Sequence, residues 1–213
     1  MNKRRKLQPV EGRQACPGFV PVQAEQQELI RDAMVNWTRA RLHDSIDPVA
    51  KIGYDLGIPP WWMRIEAATM ILKRSDEHQA ALATVLTGMR RPNSHLYPAG
   101  FTEEELAILF GPTERDINEV ITWLSSYGLT SLNVSPARTS VNFSGNLLEV
   151  EAAFDTEFHL FRWEGKEYLG NVCELSIPVA FSTVVSGFRH FNSFVPSPKQ
   201  RKFRGQSLKR VLR

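Results

Sequence analysis

Glu151 and Asp155 stand four residues apart in "FSGNLLEVEAAFDTEFHL", a spacing that brings two carboxylates to one face of a helix. Two carboxylates in different surroundings can divide general acid and general base work. The other side chains with chemistry to offer are isolated. Ser144 in "NFSGN" lacks the first glycine of a G-x-S-x-G elbow, so it reads as a residue that caps or precedes a helix. Cys173 in "NVCEL" could attack as a thiolate, but cysteine is among the most buried residue types, and a structural place in the core is the expectation. His159 falls in an alternating segment, where a partly buried imidazole with one hydrogen-bond partner is the ordinary outcome. His43, His78, His95, His159 and His190 are scattered with no pair at ligand spacing, and Cys16 lies far from Cys173. No H-E-x-x-H, P-loop or G-x-G-x-x-G occurs. On motifs alone, no catalytic residue, no metal site and no cofactor is predicted.

The segment carrying the carboxylate pair must itself be positioned. Asn146 followed three residues later by Glu149 makes a capping box, which predicts a helix to about Phe154. Ahead of it, "LTSLNVS" and "RTSVNFSG" alternate and are joined by "PA", a hairpin in which Leu132 and Val134 face Val141 and Phe143. After it, "EFHLFRW" and "KEYLGNV" flank Glu164-Gly165 as a second hairpin. "TERDINEVITWLSSYG" opens with Thr113 and Asp116, places Ile117, Val120, Ile121 and Leu124 at helical spacing, and stops at Gly128. Thr102 with Glu105 starts a shorter helix that ends at Gly111-Pro112. Upstream, "EAATMILK" reads as a strand, and Asp76 with Gln79 caps a helix to about Thr87 with Leu82, Val85, Leu86 and Met89 inward.

"IPPWW" around Pro59–Trp62 cannot be helix interior, and "RRPNSHLYPAG" is a loop. "IPVAFSTVVSG" predicts a helix beginning near Pro178, and "FRHF" a closing strand. A further helix is expected over Ala24–Trp37. Segregated helices on a mostly antiparallel sheet make an α+β domain. The paired strand–helix–strand units resemble a split βαβ, ferredoxin-like core with its helices packed on one face.

The 213 residues, 42% hydrophobic, suffice for one sizeable domain or a domain with extensions. The net charge of +3 is unevenly spread. "MNKRRK" and "KQRKFRGQSLKRVLR" hold eleven basic and no acidic residues, so the stretch between them carries 15 basic against 23 acidic, or −8. Basic ends on an acidic body can contact nucleic acid, but no aromatic platform accompanies them, and solvated, disordered ends are the simpler expectation. No apolar run approaches the ~18 residues of a membrane-spanning helix. "LQPVEGRQACPG" is polar where a secretory core would follow the basic start, so no export signal is visible.

The blocks from about Arg39 to Phe194 resemble the pro-kumamolisin activation domain, the propeptide of sedolisin-type serine-carboxyl peptidases. "YDLG" with "MILKRSDEHQAALATVL" is similar to its first strand and helix, and "NSHLYPAGFTEEELAILFG" to its loop and threonine-capped helix. "RDINEVITWLSSYGL" resembles its glycine-terminated helix. The most specific block is "RTSVNFSGNLLEVEAAFDTEFHLF", with an F-S-G strand end and a helix closing in A-F-x-T. "IPVAFSTVVSGFRHFNSF" resembles the terminal helix and strand. One departure is Pro98, Ala99 and Gly100, where the family usually has a histidine and an aromatic residue after the tyrosine.

The resemblance implies three regions: residues 1–38 as a partly helical extension, 39–194 as the activation domain, and 195–213 as a basic linker and tail. It implies a sedolisin-type catalytic domain as protein partner and no membrane partner, with nucleic acid the weaker choice. In the family the catalytic serine lies in G-T-S, which this sequence lacks, so no enzymatic activity is expected of the chain itself. The family is typically secreted. An inhibitory and folding-assisting module is the first expectation, with Ser193–Gly205 as the segment that would fill a substrate cleft. A functionless fragment of a broken peptidase gene, or a ferredoxin-like module that contacts nucleic acid through its basic tails, are the alternatives. Sedolisin-type enzymes also carry Glu-x-x-x-Asp on a catalytic helix, but the flanking residues here match the propeptide. Glu151 is therefore expected on a solvated face, Asp155 in a turn, and Phe154 as the anchor of helix to sheet.

Overall fold

A computed structural model describes residues 28–31, 38–89, 101–191 and 193–195. In chain order the elements are β1 (Arg39–Arg41), α1 (Pro48–Ile52), β2 (Tyr54–Gly57), β3 (Arg64–Leu72), α2 (Asp76–Met89), α3 (Glu103–Phe110) and α4 (Glu114–Ser126). There follow β4 (Thr130–Val134), β5 (Ser140–Asn146), α5 (Leu147–Phe154), β6 (Phe158–Trp163), β7 (Lys166–Asn171), β8 (Ser176–Pro178), a 3-10 turn (Val179–Thr183), β9 (Val185–Arg189) and β10 (Ser193–Val195).

The fold is α+β. One antiparallel sheet has the order β4-β5-β3-β9. With α4 between β3 and β4 and α5 between β5 and β9, this is the ferredoxin-like strand order built from two split βαβ units. Alternation decides its faces. Ala68, Met70, Leu72, Val141 and Phe143 point inward and are buried, whereas Thr69, Asn142 and Ser144 lie on the other side. Both helices pack on the inner face. Phe154 at the end of α5 anchors the joint: it stacks on Phe143 at 5.6 Å and meets Trp123 of α4 edge-on at 5.4 Å.

A second antiparallel sheet has the order β10-β7-β6-β2; its β6 and β7 lie between α5 and β9 in the chain, whereas β2 precedes β3 and β10 follows β9. Its β6–β7 hairpin forms as expected, with Glu164 and Gly165 both at positive φ, the requirement of a tight type I′ turn. Leu160 and Leu169 pair across it, and Phe158 and Leu169 join the same core as the first sheet. β1 pairs with β8 as a separate two-stranded ribbon. Arg39 fastens this ribbon to α5, its guanidinium donating to the carbonyls of Ala153 (2.6 Å) and Ser176 (2.7 Å).

The capping boxes at Thr102, Thr113 and Asn146 all form. Several details differ from expectation. The cap of α2 is Ser75, whose hydroxyl accepts from the His78 N–H at 3.1 Å, and Asp76 is instead the first residue of that helix. Leu86 is exposed, while Leu82 and Val85 pack with Phe110 of α3. The segment after Pro178 makes only a 3-10 turn. Its β-branched Val179, Thr183, Val184 and Val185 disfavour helix, and burial of Phe181 is satisfied by one turn. The closing strand accordingly starts at Val185 and stops at Arg189, because His190 turns to φ 61°.

Of the helix expected over Ala24–Trp37, residues 28–31 are described and are not helical. The rest of that helix, the loop at 90–100 and the tail from 196 onward lie outside the described residues. No helix among the described residues is long and apolar enough to cross a membrane.

Candidate docking face

Glu151 and Asp155, the pair best spaced for chemistry, hold the end of α5. Asp155 is the C-cap in the left-handed region, φ 47° and ψ 55°, and the Asp155 and Thr156 N–H groups both donate to the Glu151 carbonyl. Glu151 is more than a solvated residue, since its Oε1 accepts from the Phe158 N–H at 2.9 Å and so ties α5 to the start of β6. Asp155 Oδ2 lies 3.5 Å from the Ser176 hydroxyl. Both carboxylates are thus occupied by backbone or hydroxyl donors.

Ser144 lies within β5, and its hydroxyl accepts from the Ala67 N–H at 3.1 Å. That bond bridges the bulge in β3, where Ala67 sits at φ 57°. Gly145 beside it is required by packing: a Cβ there would run into Leu129 Cδ2 and approach Glu149 Oε2 at 3.2 Å. The F-S-G motif is therefore a strand end made for close approach by α5 and Leu129. Cys173 is exposed rather than buried, because it belongs to the bend between β7 and β8; its carbonyl accepts from Thr156 Oγ1 and Asn171 Nδ2.

His159 has two partners rather than one. Nδ1 is 2.8 Å from Asp55 Oδ2 of β2, and Nε2 is 3.2 Å from Glu157 Oε1. The hydrogen bond to Asp55 raises the imidazole above its ordinary pKa, against a smaller opposing effect of burial. The same bond, joined by the Gly57 N–H donating to Oδ1 at 2.7 Å, lowers Asp55. The cluster is a strut between an edge strand and its neighbour. Among the described residues, no group of three or more His, Cys, Asp or Glu side chains is placed to hold a metal ion.

The surface left over is the open face of the first sheet. Registers place Asn133, Asn142, Thr69 and Arg189 in one row across all four strands, a width of about 14 Å at ~4.8 Å per strand. Thr69 donates to Asn142 Oδ1 at 2.9 Å. Ser144 and Thr130 extend the row along the strands. These short, mostly uncharged side chains make a flat platform with no helix over it among the described residues. One solvated face is common for an antiparallel sheet, so the platform alone names no partner.

The β2–β3 connection, which leads into β3, carries exposed apolar side chains. Ile58 is 80% exposed and Trp61 76% in this connection, where the Met63 N–H donates to the Pro60 carbonyl at 2.9 Å, and Tyr54 of β2 is 73% exposed. Large apolar side chains grouped on a surface mark contact sites. The sequence showed this stretch as punctuation; only the exposure of its aromatic residues marks it as a candidate contact surface.

Comparison with known proteins gives this face a context. The family described as "Pro-kumamolisin, activation domain" matches residues 64–194, which spans β3 through β9. The chain is similar to xanthomonalisin of Xanthomonas sp. (strain T-22), 27% identical over 106 residues, covering 50% of this chain and 13% of that protein. It is also similar to sedolisin of Pseudomonas sp. (strain 101), 22% identical over 120 residues, covering 56% of this chain and 20% of that protein. The matched part of each relative is thus a small share of its length. The match covers more than half of the chain, contains the whole ferredoxin-like core and includes the F-S-G strand end whose glycine the packing requires; the chain belongs to the pro-kumamolisin activation domain family.

Proposed function

We propose that this domain binds the catalytic domain of a sedolisin-type peptidase, holding it inactive and assisting its folding. The observation that carries this reading is the family match over residues 64–194 on a core that keeps one sheet face free of helices. The polar row through Asn142 and Thr69, with the aromatic β2–β3 turn, forms the contact surface. Short polar side chains suit a rigid partner element laid flat against the sheet, and the exposed Trp61 supplies the apolar anchor typical of interface hot spots.

Two physical effects follow from such binding. A preformed domain stabilises native-like surfaces of a partner whose non-local contacts form slowly, which lowers the entropic barrier to its folding. A partner that binds only the native enzyme also raises its apparent stability by mass action. Inhibition comes from the segment Ser193–Gly205 lying in the substrate cleft. Its first residues, Ser193–Val195, pair with Leu169, Tyr168 and Glu167 of β7 as β10, and such pairing would fix where the segment leaves the domain. Release in acid follows where carboxylates facing cations across the interface are protonated.

The test uses the purified chain at micromolar concentration against xanthomonalisin or sedolisin freed of its own propeptide. The expected result is concentration-dependent slowing of peptide cleavage, followed by degradation of the chain at acid pH. Unchanged cleavage by every such enzyme tried overturns the inhibitory role.

A further inference from the structure

We propose that the groove beside β9 is a second binding site, which takes an extended peptide of alternating apolar and acidic residues as an added β-strand. β9 ends its sheet, paired with β3 alone. Among the described residues, the backbone of Ser186–His190 makes no hydrogen bond outside that pairing. Alongside this free edge lies an open cavity of about 580 Å³, within the range of ligand sites, about 300–1,000 Å³. Its far wall is the β1–α1 connection, from Arg41 to Pro48, and its floor includes Leu175, Phe188 and Phe191.

An exposed strand edge bordering a groove is the arrangement used for strand addition: backbone hydrogen bonds supply affinity, and alternate side chains meet pockets. Five residues of edge offer about 16 Å of pairing at ~3.3 Å per residue. Inward side chains of the peptide meet the apolar floor, so they are apolar. Charge decides the others. Arg41 and Arg189 line the groove, and neither makes an ion pair among the described residues. Of the two carboxylates there, Asp47 is buried with Oδ1 accepting from the Val49 N–H at 2.7 Å. Only Asp44 opposes the guanidinium groups from an exposed position. His43 sits 3.5 Å from Glu174, and His190 Nδ1 sits 3.4 Å from the Thr69 hydroxyl. The chain's own tail, "KQRKFRGQSLKRVLR", is basic and has the wrong charge for this groove. The site does not depend on the peptidase reading, and its test uses no peptidase.

The experiment titrates the full chain with a fluorescein-labelled peptide alternating valine and glutamate, followed by anisotropy and by amide chemical shifts. The expected result is saturable binding, with shifts concentrated at Ser186–His190 and Arg41–Pro48. A valine–lysine analogue should bind roughly tenfold more weakly, and a valine–glutamate analogue with prolines at the central positions should not bind, because the peptide then lacks N–H donors for the carbonyls of the β9 edge. The double substitution Arg41→Glu and Arg189→Glu, both at exposed positions, should reverse the preference between the two charged peptides. No saturable binding of the acidic peptide, equal binding of acidic and basic peptides, undiminished binding of the proline analogue, or shifts confined to another face each overturns the proposal. The proline comparison is made on the unaltered protein, so it decides even if the double variant fails to fold.

Discussion

Asp116 is fully buried, and its carboxylate serves two segments at once. Oδ2 accepts from the Thr113 hydroxyl at 2.8 Å and from the Thr113 N–H at 3.3 Å, closing the cap of α4. Oδ1 accepts from the Ile30 N–H at 2.9 Å and from the Leu29 N–H at 3.1 Å, so the carboxylate also holds the N-terminal stretch against α4. Hydrogen bonds to a charged group contribute about 1.5–3 kcal/mol, and each donor left unsatisfied costs about 1–3 kcal/mol. Asp116→Ala should therefore lower unfolding free energy by about 3 kcal/mol or more in urea titration. Thr102→Ala, at an exposed cap of the same type, should cost only about 1 kcal/mol. Equal losses at the two sites would show that the contacts with Leu29 and Ile30 contribute nothing.

His159 belongs to the same scale. Its folded pKa is raised, so its contribution is complete below the ordinary imidazole value of about 6.5 and is lost as pH rises through the folded value. Asp55 is lowered, so its contribution is present above about 3.9 and is lost as pH falls through its folded value. The strut is strongest between those limits. Proton NMR titration of His159 should give a midpoint above 6.5, moving down in Asp55→Asn; a midpoint at or below 6.5 in the unaltered protein contradicts the pairing. The Asp55 partner was not foreseeable, because it lies 104 positions away in sequence.

At the scale of elements, local chemistry was legible and long-range chemistry was not. The three capping boxes and the Glu164-Gly165 turn are contained in four-residue windows, and each formed where the residues indicated. The F-S-G strand end and the anchoring Phe154 were also visible. β1 and β8 escaped notice, since each is only three residues long and exists through a partner more than a hundred positions distant. The candidate face was unreadable for another reason: Asn133, Asn142, Thr69 and Arg189 come from four strands, and register alone brings them into a row.

Phe154 gives the element-scale test. It is fully buried, with Phe143, Trp123, Phe188 and Phe191 rings within 5.6 Å centroid distance. Phe154→Ala should cost about 4 kcal/mol through lost burial and a cavity, and Phe154→Leu distinctly less. Because the site joins α4, α5 and the sheet, the midpoints of helix loss by circular dichroism and of core exposure by fluorescence should fall together in both variants.

For the whole molecule, the decisive point is that one core serves both four-stranded sheets. Phe158 and Leu169 of the second sheet pack in the cluster that contains Met70, Val141 and Phe143 of the first, so the open face rests on a rigid support. Binding and stability can therefore be separated by substitution. Asn142→Glu on the platform touches no buried group beyond its bond with Thr69, and changes at such exposed positions shift stability by about 0.5 kcal/mol or less. A carboxylate introduced at the centre of a contact surface must be desolvated without a partner, which costs several kcal/mol in the complex alone. Asn142→Glu should leave the urea midpoint nearly unchanged while raising the concentration needed to slow a sedolisin-type peptidase by at least about tenfold. Phe154→Leu should do the reverse, lowering the midpoint while preserving inhibition at temperatures where the domain stays folded. If Asn142→Glu inhibits as well as the unaltered chain while a substitution such as Trp61→Ala abolishes inhibition, the enzyme grips the aromatic turn and the open sheet face is only solvated surface.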